Sequence, residues 1–235
     1  MGEGKMTINT DGTCFGDLWR DAVAARSNAT FLVFESSSGS SHSWTYAEFD
    51  DVVARAAAKL TGLGVAQGDS VNLALTNSPA FVALWLASVR LGAWIVPSDP
   101  QSRTQELVEH QSRTNSKVGV CSVHRKDEFR AAALSIPVIA IDEDDCELAV
   151  FGTEKVINWP TLNIRDRAAV MFTSGTTGRP KGVDISQANY SFAGQVMATA
   201  SGLTADDRQL VVLPLFHANA QYYSFASAIA VGASV

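Results

Sequence analysis

The stretch Ala168-Ala169-Val170-Met171-Phe172-Thr173-Ser174-Gly175-Thr176-Thr177-Gly178-Arg179-Pro180-Lys181-Gly182 decides how the rest of the chain is read. Its first five residues form an apolar run that predicts a buried strand. The ten that follow hold three glycines, four hydroxyls and two cations. Glycine lets the backbone approach a ligand closely, and successive free N–H groups make a concave anion nest. Hydroxyls donate to phosphate oxygens, and Arg179 and Lys181 add positive charge. The segment therefore reads as a cradle for a polyphosphate. An ordinary Ser/Thr/Gly turn between two strands has the same composition. A Walker A loop does not fit, because Pro180 stands where that motif needs its second glycine.

Upstream of this segment, strand and helix signals alternate. Thr30 to Phe34 reads as a strand and Ser36 to Ser43 as a Ser/Gly turn. Thr45 and Glu48 have the spacing of a capping box, with Trp44 and Phe49 as its hydrophobic staple. The helix that follows places Phe49, Val52, Val53, Ala56 and Leu60 on one face and stops at Gly62 and Gly64. Val71 to Leu75 is the next strand, and Ser78 and Pro79 open a helix running to about Leu91. Ala93 to Val96, Val118 to Cys121 and Pro137 to Ile141 are further strands. A helix from Ser102 to about Gln111, with Ser102 and Gln105 at capping-box spacing, lies between the first two of these. A strand is also expected near residue 211. This rhythm predicts an α/β fold, a parallel-rich sheet covered by helices.

Composition narrows the function. The 235 residues are 46% hydrophobic, enough to bury a core, and 18% charged. Eighteen Lys and Arg against 24 Asp and Glu give a net charge of −6, which disfavours general binding to nucleic acid. Cys14, Cys121 and Cys146 lack CxxC spacing, and the four histidines form no HxxxH pair, so neither a disulfide framework nor a zinc set is expected. Gly62, Gly64 and Gly68 follow a helix rather than a strand, which favours a turn over a dinucleotide fingerprint. The acidic run Asp142 to Asp145 lacks the ligand spacing of a calcium loop and reads as a solvated loop. With no apolar leader and no run of membrane-spanning length, a soluble cytoplasmic protein is expected.

Thr173 to Val183, TSGTTGRPKGV, closely resembles the phosphate-loop signature of the adenylate-forming (AMP-binding) enzymes, which include acyl- and aryl-CoA synthetases, luciferases and peptide-synthetase adenylation domains. Trp44 to Phe49 is similar to that family's "TYAEL" helix start, and Gly64-Val65 with Gly68 to Val71 to its "GV..GDRV" turn. Leu91 to Pro97 is similar to its "GA..VP" strand, and Pro214-Leu215-Phe216-His217 to its "PLFH" segment. The segment from His217 to Tyr223 is closer to bacterial carnitine/crotonobetaine-type CoA ligases than to long-chain fatty acid enzymes.

The resemblance implies ATP-dependent activation of a small carboxylic acid to an acyl-adenylate, then thioester formation with coenzyme A. It implies that Thr173, Ser174, Gly175, Thr176, Thr177, Gly178 and Lys181 grip the β- and γ-phosphates. Mg²⁺ is implied beside a hydroxyl of Thr173 or Ser174. His217 is implied as the residue between acyl pocket and α-phosphate; without the resemblance, a histidine after Pro-Leu-Phe reads as structural. Asn219, Gln221, Tyr222 and Tyr223, at an expected helix start, divide evenly between pocket lining and packing. Two positions depart from the family pattern, Asp184 for an apolar residue and Gln187 for His, and predict altered packing rather than lost nucleotide binding. Residues 1–235 correspond to the N-terminal portion of the family's large domain. The adenine and ribose motifs and the C-terminal lid domain are absent, so this chain alone is expected not to complete adenylation. A module that loads a carrier protein, and a non-catalytic fragment, are the alternatives.

Overall fold

Three early helices and a short hairpin lie against one face of a twisted sheet. The computed structural model describes residues 12–132, 136–173 and 181–235. Helix α1 (Phe15–Arg26) precedes strands β1 (Thr30–Glu35) and β2 (Ser41–Thr45), which pair antiparallel. The turn between them is shorter than the Ser/Gly run suggested: Gly39 at φ 81° closes it, and Ser41 to Ser43 pair with Phe34 and its neighbours as strand. Backbone pairing with β1 overrides the weak strand preference of serine here.

Helix α2 (Tyr46–Gly62) opens on the expected capping box, with Glu48 N–H donating to Thr45 Oγ1 (3.2 Å) and Thr45 N–H to Glu48 Oε2 (2.7 Å). Trp44 and Phe49 meet edge to face at 5.8 Å, and all five expected face residues are buried. Gly64 and Gly68 both adopt φ 87°, as the turn reading requires.

Strand β3 (Ser70–Ala74) leads through a Ser78 cap into α3 (Pro79–Arg90). All twelve residues of α3 are buried, as expected of a helix apolar on every side. Strand β4 (Trp94–Pro97), α4 (Thr104–Thr114), β5 (Val118–Ser122), α5 (Lys126–Ala132) and β6 (Val138–Ile141) follow. α4 starts two residues later than its expected cap, because Glu106 rather than Gln105 reaches back, accepting from Arg103 N–H (2.9 Å). It ends where Asn115 turns left-handed at φ 50°. Strand β7 (Arg167–Thr173), β8 (Lys181–Ser186) and α6 (Gln187–Ser201) complete the ordered elements around the sheet.

The sheet order is β6-β5-β3-β4-β7-β8, parallel throughout except for the antiparallel β7–β8 pair. Alternation along the strands sorts the two faces. Val71, Leu73, Ile95, Val118, Val120, Ala169 and Met171 join the main core with α1, α2 and α3. Ala74 and Cys121 meet Leu107 of α4 and Phe129 of α5 on the other face, and Trp94, Val96, Val170 and Phe172 cluster there too. No helix among the described residues is long and apolar enough to cross a membrane.

The C-terminal stretch holds a π-helix (Ala220–Ala226) and α7 (Ser227–Val231). No strand forms near residue 211; instead Arg208 bridges to Ser234, and Val235 exchanges backbone hydrogen bonds with Phe31 and Val33 of β1. Backbone and side chain both hold this region: Gln209 N–H donates to the Ser234 carbonyl (2.9 Å) and Gln209 Nε2 to the Tyr223 carbonyl (3.3 Å). α6 meets the π-helix so closely that a Cβ on Gly194 would lie 2.5 Å from the Ala226 carbonyl oxygen. Gly194→Ala should therefore force the two helices apart and cost about 1–3 kcal/mol in denaturant unfolding. Unchanged stability would show that the two helices separate there at no cost.

Candidate functional site

Strands β3, β4, β5 and β7 run parallel, so their carboxyl ends share one edge of the sheet. In open α/β sheets that edge is where ligands bind. Thr173 is the last residue of β7 and Lys181 the first of β8, and the two are cross-strand partners. The Thr173 hydroxyl donates to the Lys181 carbonyl (3.4 Å), and both residues are exposed. No carboxylate among the described residues pairs with Lys181, which leaves its ammonium available to an anionic ligand. Ser174, Gly175, Thr176, Thr177 and Gly178, the other members of the expected cradle, lie outside the described residues.

Beneath this corner, a contact that sequence reading missed supports Phe172. His110 of α4 stacks flat on its ring at 4.1 Å and 7°, and the Arg113 guanidinium lies 4.8 Å from the ring centre. His110 Nδ1 shares a hydrogen bond of 2.9 Å with Ser98 Oγ, just past β4. Burial holds the imidazole below its ordinary pKa, against the opposing pull of Glu106 and Glu109, and Arg113 adds to the lowering. The ring is thus neutral at neutral pH and suits flat stacking. The available signal was the i, i+3, i+4 buried face of Leu107, His110 and Gln111.

His217 is exposed, its ring against Phe216 (4.3 Å) and its N–H donating to the Pro214 carbonyl (3.0 Å). Asn77, just past β3, binds the segment before it: Nδ2 donates to the Leu213 carbonyl (2.9 Å) and Oδ1 accepts from Leu215 N–H (2.7 Å). The His217 segment is thereby tied to the carboxyl end of β3, and β4 alone separates β3 from β7 in the sheet. Of the four residues after it, Asn219 and Tyr223 are exposed and Gln221 is a core anchor. Gln221 Nε2 donates to the Leu215 carbonyl (2.6 Å), and its Oε1 accepts from the Tyr190 hydroxyl. Tyr222 is half-buried edge-on to Tyr190 at 5.2 Å, and burial pushes its hydroxyl pKa up to about 12.

Of the two departures from the family pattern, Gln187 falls in the core and Asp184 on the surface. Gln187 is fully buried and bridges α1 to α3, accepting from Gly16 N–H (3.0 Å) and donating to the Val89 carbonyl (2.8 Å). Asp184 pairs with Arg167 (2.9 Å), whose guanidinium stacks on Trp94 (4.7 Å). In the acidic run Asp142 and Asp144 are exposed and Glu143 and Asp145 half-buried, and the carboxylates are not free. Glu143 accepts from the Thr76 hydroxyl (2.8 Å) beside Asn77, Asp144 from Ser37, and Asp145 from the backbone of residues 147–149. Backbone and hydroxyl donors, rather than water alone, satisfy these carboxylates.

Comparison with known proteins agrees with this layout. Residues 19–235 match the model of the family described as AMP-binding enzyme. A crotonobetaine/carnitine–CoA ligase of Salmonella arizonae is 30% identical over 231 residues, covering 92% of this chain and 45% of that protein. The corresponding ligase of Escherichia coli O127:H6 is 29% identical with the same coverage. Among solved structures, the ATP-bound RpMatB-BxBclM chimera B1 superposes with a TM-score of 0.85 at 24% identity, covering 95% of this chain and 44% of that one. VinN in complex with L-aspartate gives 0.82 at 24% identity, covering 95% and 56%. These structural likenesses establish the fold, and the chain spans about half the length of its curated relatives.

Proposed function

Because this chain belongs to the AMP-binding enzyme family, we propose that the complete protein is an acyl-CoA ligase in which residues 1–235 are the N-terminal portion of the large domain. The observation that carries this reading is the cross-strand pairing of Thr173 with Lys181 at the carboxyl edge of a parallel sheet, at the two ends of the TSGTTGRPK segment, with no carboxylate among the described residues paired to Lys181. In the first step a carboxylate oxygen attacks the α-phosphorus of ATP. The bond to the β-phosphate bridging oxygen breaks, and pyrophosphate leaves. Next the sulfur of coenzyme A attacks the acyl carbonyl and AMP departs.

Thr173, Ser174, Gly175, Thr176, Thr177, Gly178 and Lys181 hold the β- and γ-phosphates, placing donors where charge builds on the leaving group. The exposed Thr173 hydroxyl suits a place in the Mg²⁺ sphere, with Ser174 the alternative. When bound, that ion neutralises phosphate charge. His217 orients the carboxylate. The similarity to crotonobetaine/carnitine–CoA ligases supports a small polar acid as substrate, and ATP and coenzyme A as co-substrates are in keeping with a cytoplasmic enzyme.

The test is ATP–pyrophosphate exchange on the complete protein, with crotonobetaine, carnitine, L-aspartate and a long-chain fatty acid offered in turn. Exchange with a small polar acid, followed by coenzyme A-dependent release of AMP, is expected. Residues 1–235 alone should give none. Exchange that coenzyme A cannot discharge would favour a carrier-loading module, and no exchange with any acid would overturn the ligase reading.

A further inference from the structure

We propose that Asn77 and Gln221 are positioning residues that fix His217 by clamping the backbone of Leu215. The inference rests on the role given to His217 above. Residues 210–216 belong to no helix or strand, so no ladder holds them. Burial holds the Leu215 side chain, 2% exposed in the main core, and part of Val211, but Leu210 and Val212 are 85% and 75% exposed and Leu213 is 47% exposed. Beside that one buried side chain, what holds the backbone of the segment is a pair of side-chain amides. The Asn77 carboxamide meets the Leu213 carbonyl and the Leu215 N–H as a neighbouring strand would, with one donor and one acceptor two residues apart. From the other side Gln221 donates to the Leu215 carbonyl. Both backbone groups of Leu215 are thus tied to side chains from different parts of the fold.

Each clamp has a rigid mount. Asn77 lies three residues past the end of β3, and the Glu143 carboxylate holds the Thr76 N–H and hydroxyl beside it. Gln221 is fully buried in the π-helix and accepts from Tyr190, a fully buried ring stacked on Phe15 (5.1 Å) and near Trp85 (5.3 Å). A single turn, closed by His217 N–H on the Pro214 carbonyl, carries this fixation to the imidazole. Reacting groups tolerate little misplacement, so releasing the clamp should act on turnover more than on nucleotide affinity.

A double-mutant cycle on the complete protein tests this, with crotonobetaine as the acid and ATP–pyrophosphate exchange as the readout. Asn77→Leu should lower kcat about 10- to 100-fold while the KM for ATP stays close to wild type. In a His217→Ala background the same substitution should cost little further, because its effect runs through His217. Gln221→Met should repeat the pattern. Asn77→Asp keeps the acceptor for Leu215 N–H, should recover part of the rate, and serves in the cycle should Asn77→Leu fail to fold. Equal losses in both backgrounds, or wild-type exchange in Asn77→Leu while His217→Ala collapses, would overturn the clamp. Wild-type exchange in His217→Ala would instead overturn the role of His217, and the positioning claim with it.

Discussion

Lys181→Ala in the complete enzyme should lower acid-dependent ATP–pyrophosphate exchange about 10²- to 10³-fold, the usual scale for deleting one preorganised donor to developing charge. The loss should fall on kcat and on kcat/KM for ATP, because the leaving pyrophosphate carries more charge in the transition state than in bound ATP. Lys181 is exposed and pairs with no carboxylate among the described residues, so its removal should change stability by no more than about 0.5 kcal/mol. That separates a chemical effect from an unfolding effect. Lys181→Arg should recover part of the rate by keeping the charge while changing donor geometry. Exchange at the wild-type rate in a folded Lys181→Ala protein would remove the phosphate-cradle reading and the ligase proposal together.

The largest expected effect on stability lies away from that edge. Asp50 of α2 accepts from Arg90 Nη1 (2.8 Å) at the end of α3 and from Trp19 Nε1 (2.7 Å) of α1. Trp159 caps the same guanidinium at 3.8 Å. Three helices therefore meet on one carboxylate. Burial pulls the Arg90 pKa down and Asp50 pulls it back up, but an arginine stays charged across the range in which the protein folds. Asp50→Ala would leave a nearly buried cation and a buried indole N–H without their acceptor. The Arg90 side chain is 8% exposed and Asp50 30%, so partial access to water places the cost near the low end for a broken buried pair, about 3 kcal/mol. Asp50→Asn keeps an acceptor for both donors and should lose less. Denaturant midpoints for the two variants would decide it, and equal midpoints for wild type and Asp50→Ala would show that the pair contributes nothing.

Much of the architecture was legible because the signals were local. The capping box at Thr45 and Glu48, the buried face of α2, the Ser78-Pro79 start of α3 and the turns at Gly64 and Gly68 depend on residues a few positions apart. Where local signals competed, reading was less sure. Gln105 was the expected cap acceptor, and Glu106 took its place because it stands three residues from Arg103, just before the first helical residue. Ser41 to Ser43 became strand only because β1 was there to pair with.

The amino-acid order alone determined the element rhythm, the strand leading into Thr173 and the chemical character of the segment up to Lys181, since spacing and side-chain type fix these. Only the tertiary structure decided that Gln187 bridges α1 and α3, that His110 lies flat on Phe172, and that Asn77 holds Leu213 and Leu215. It also decided that Gln221 faces the core while Tyr223 faces solvent. Each of these joins separate elements of the fold, often across more than a hundred residues of chain. Strand order and helix packing choose such partners, and an amide or imidazole in the sequence carries no mark of which distant backbone group it will meet.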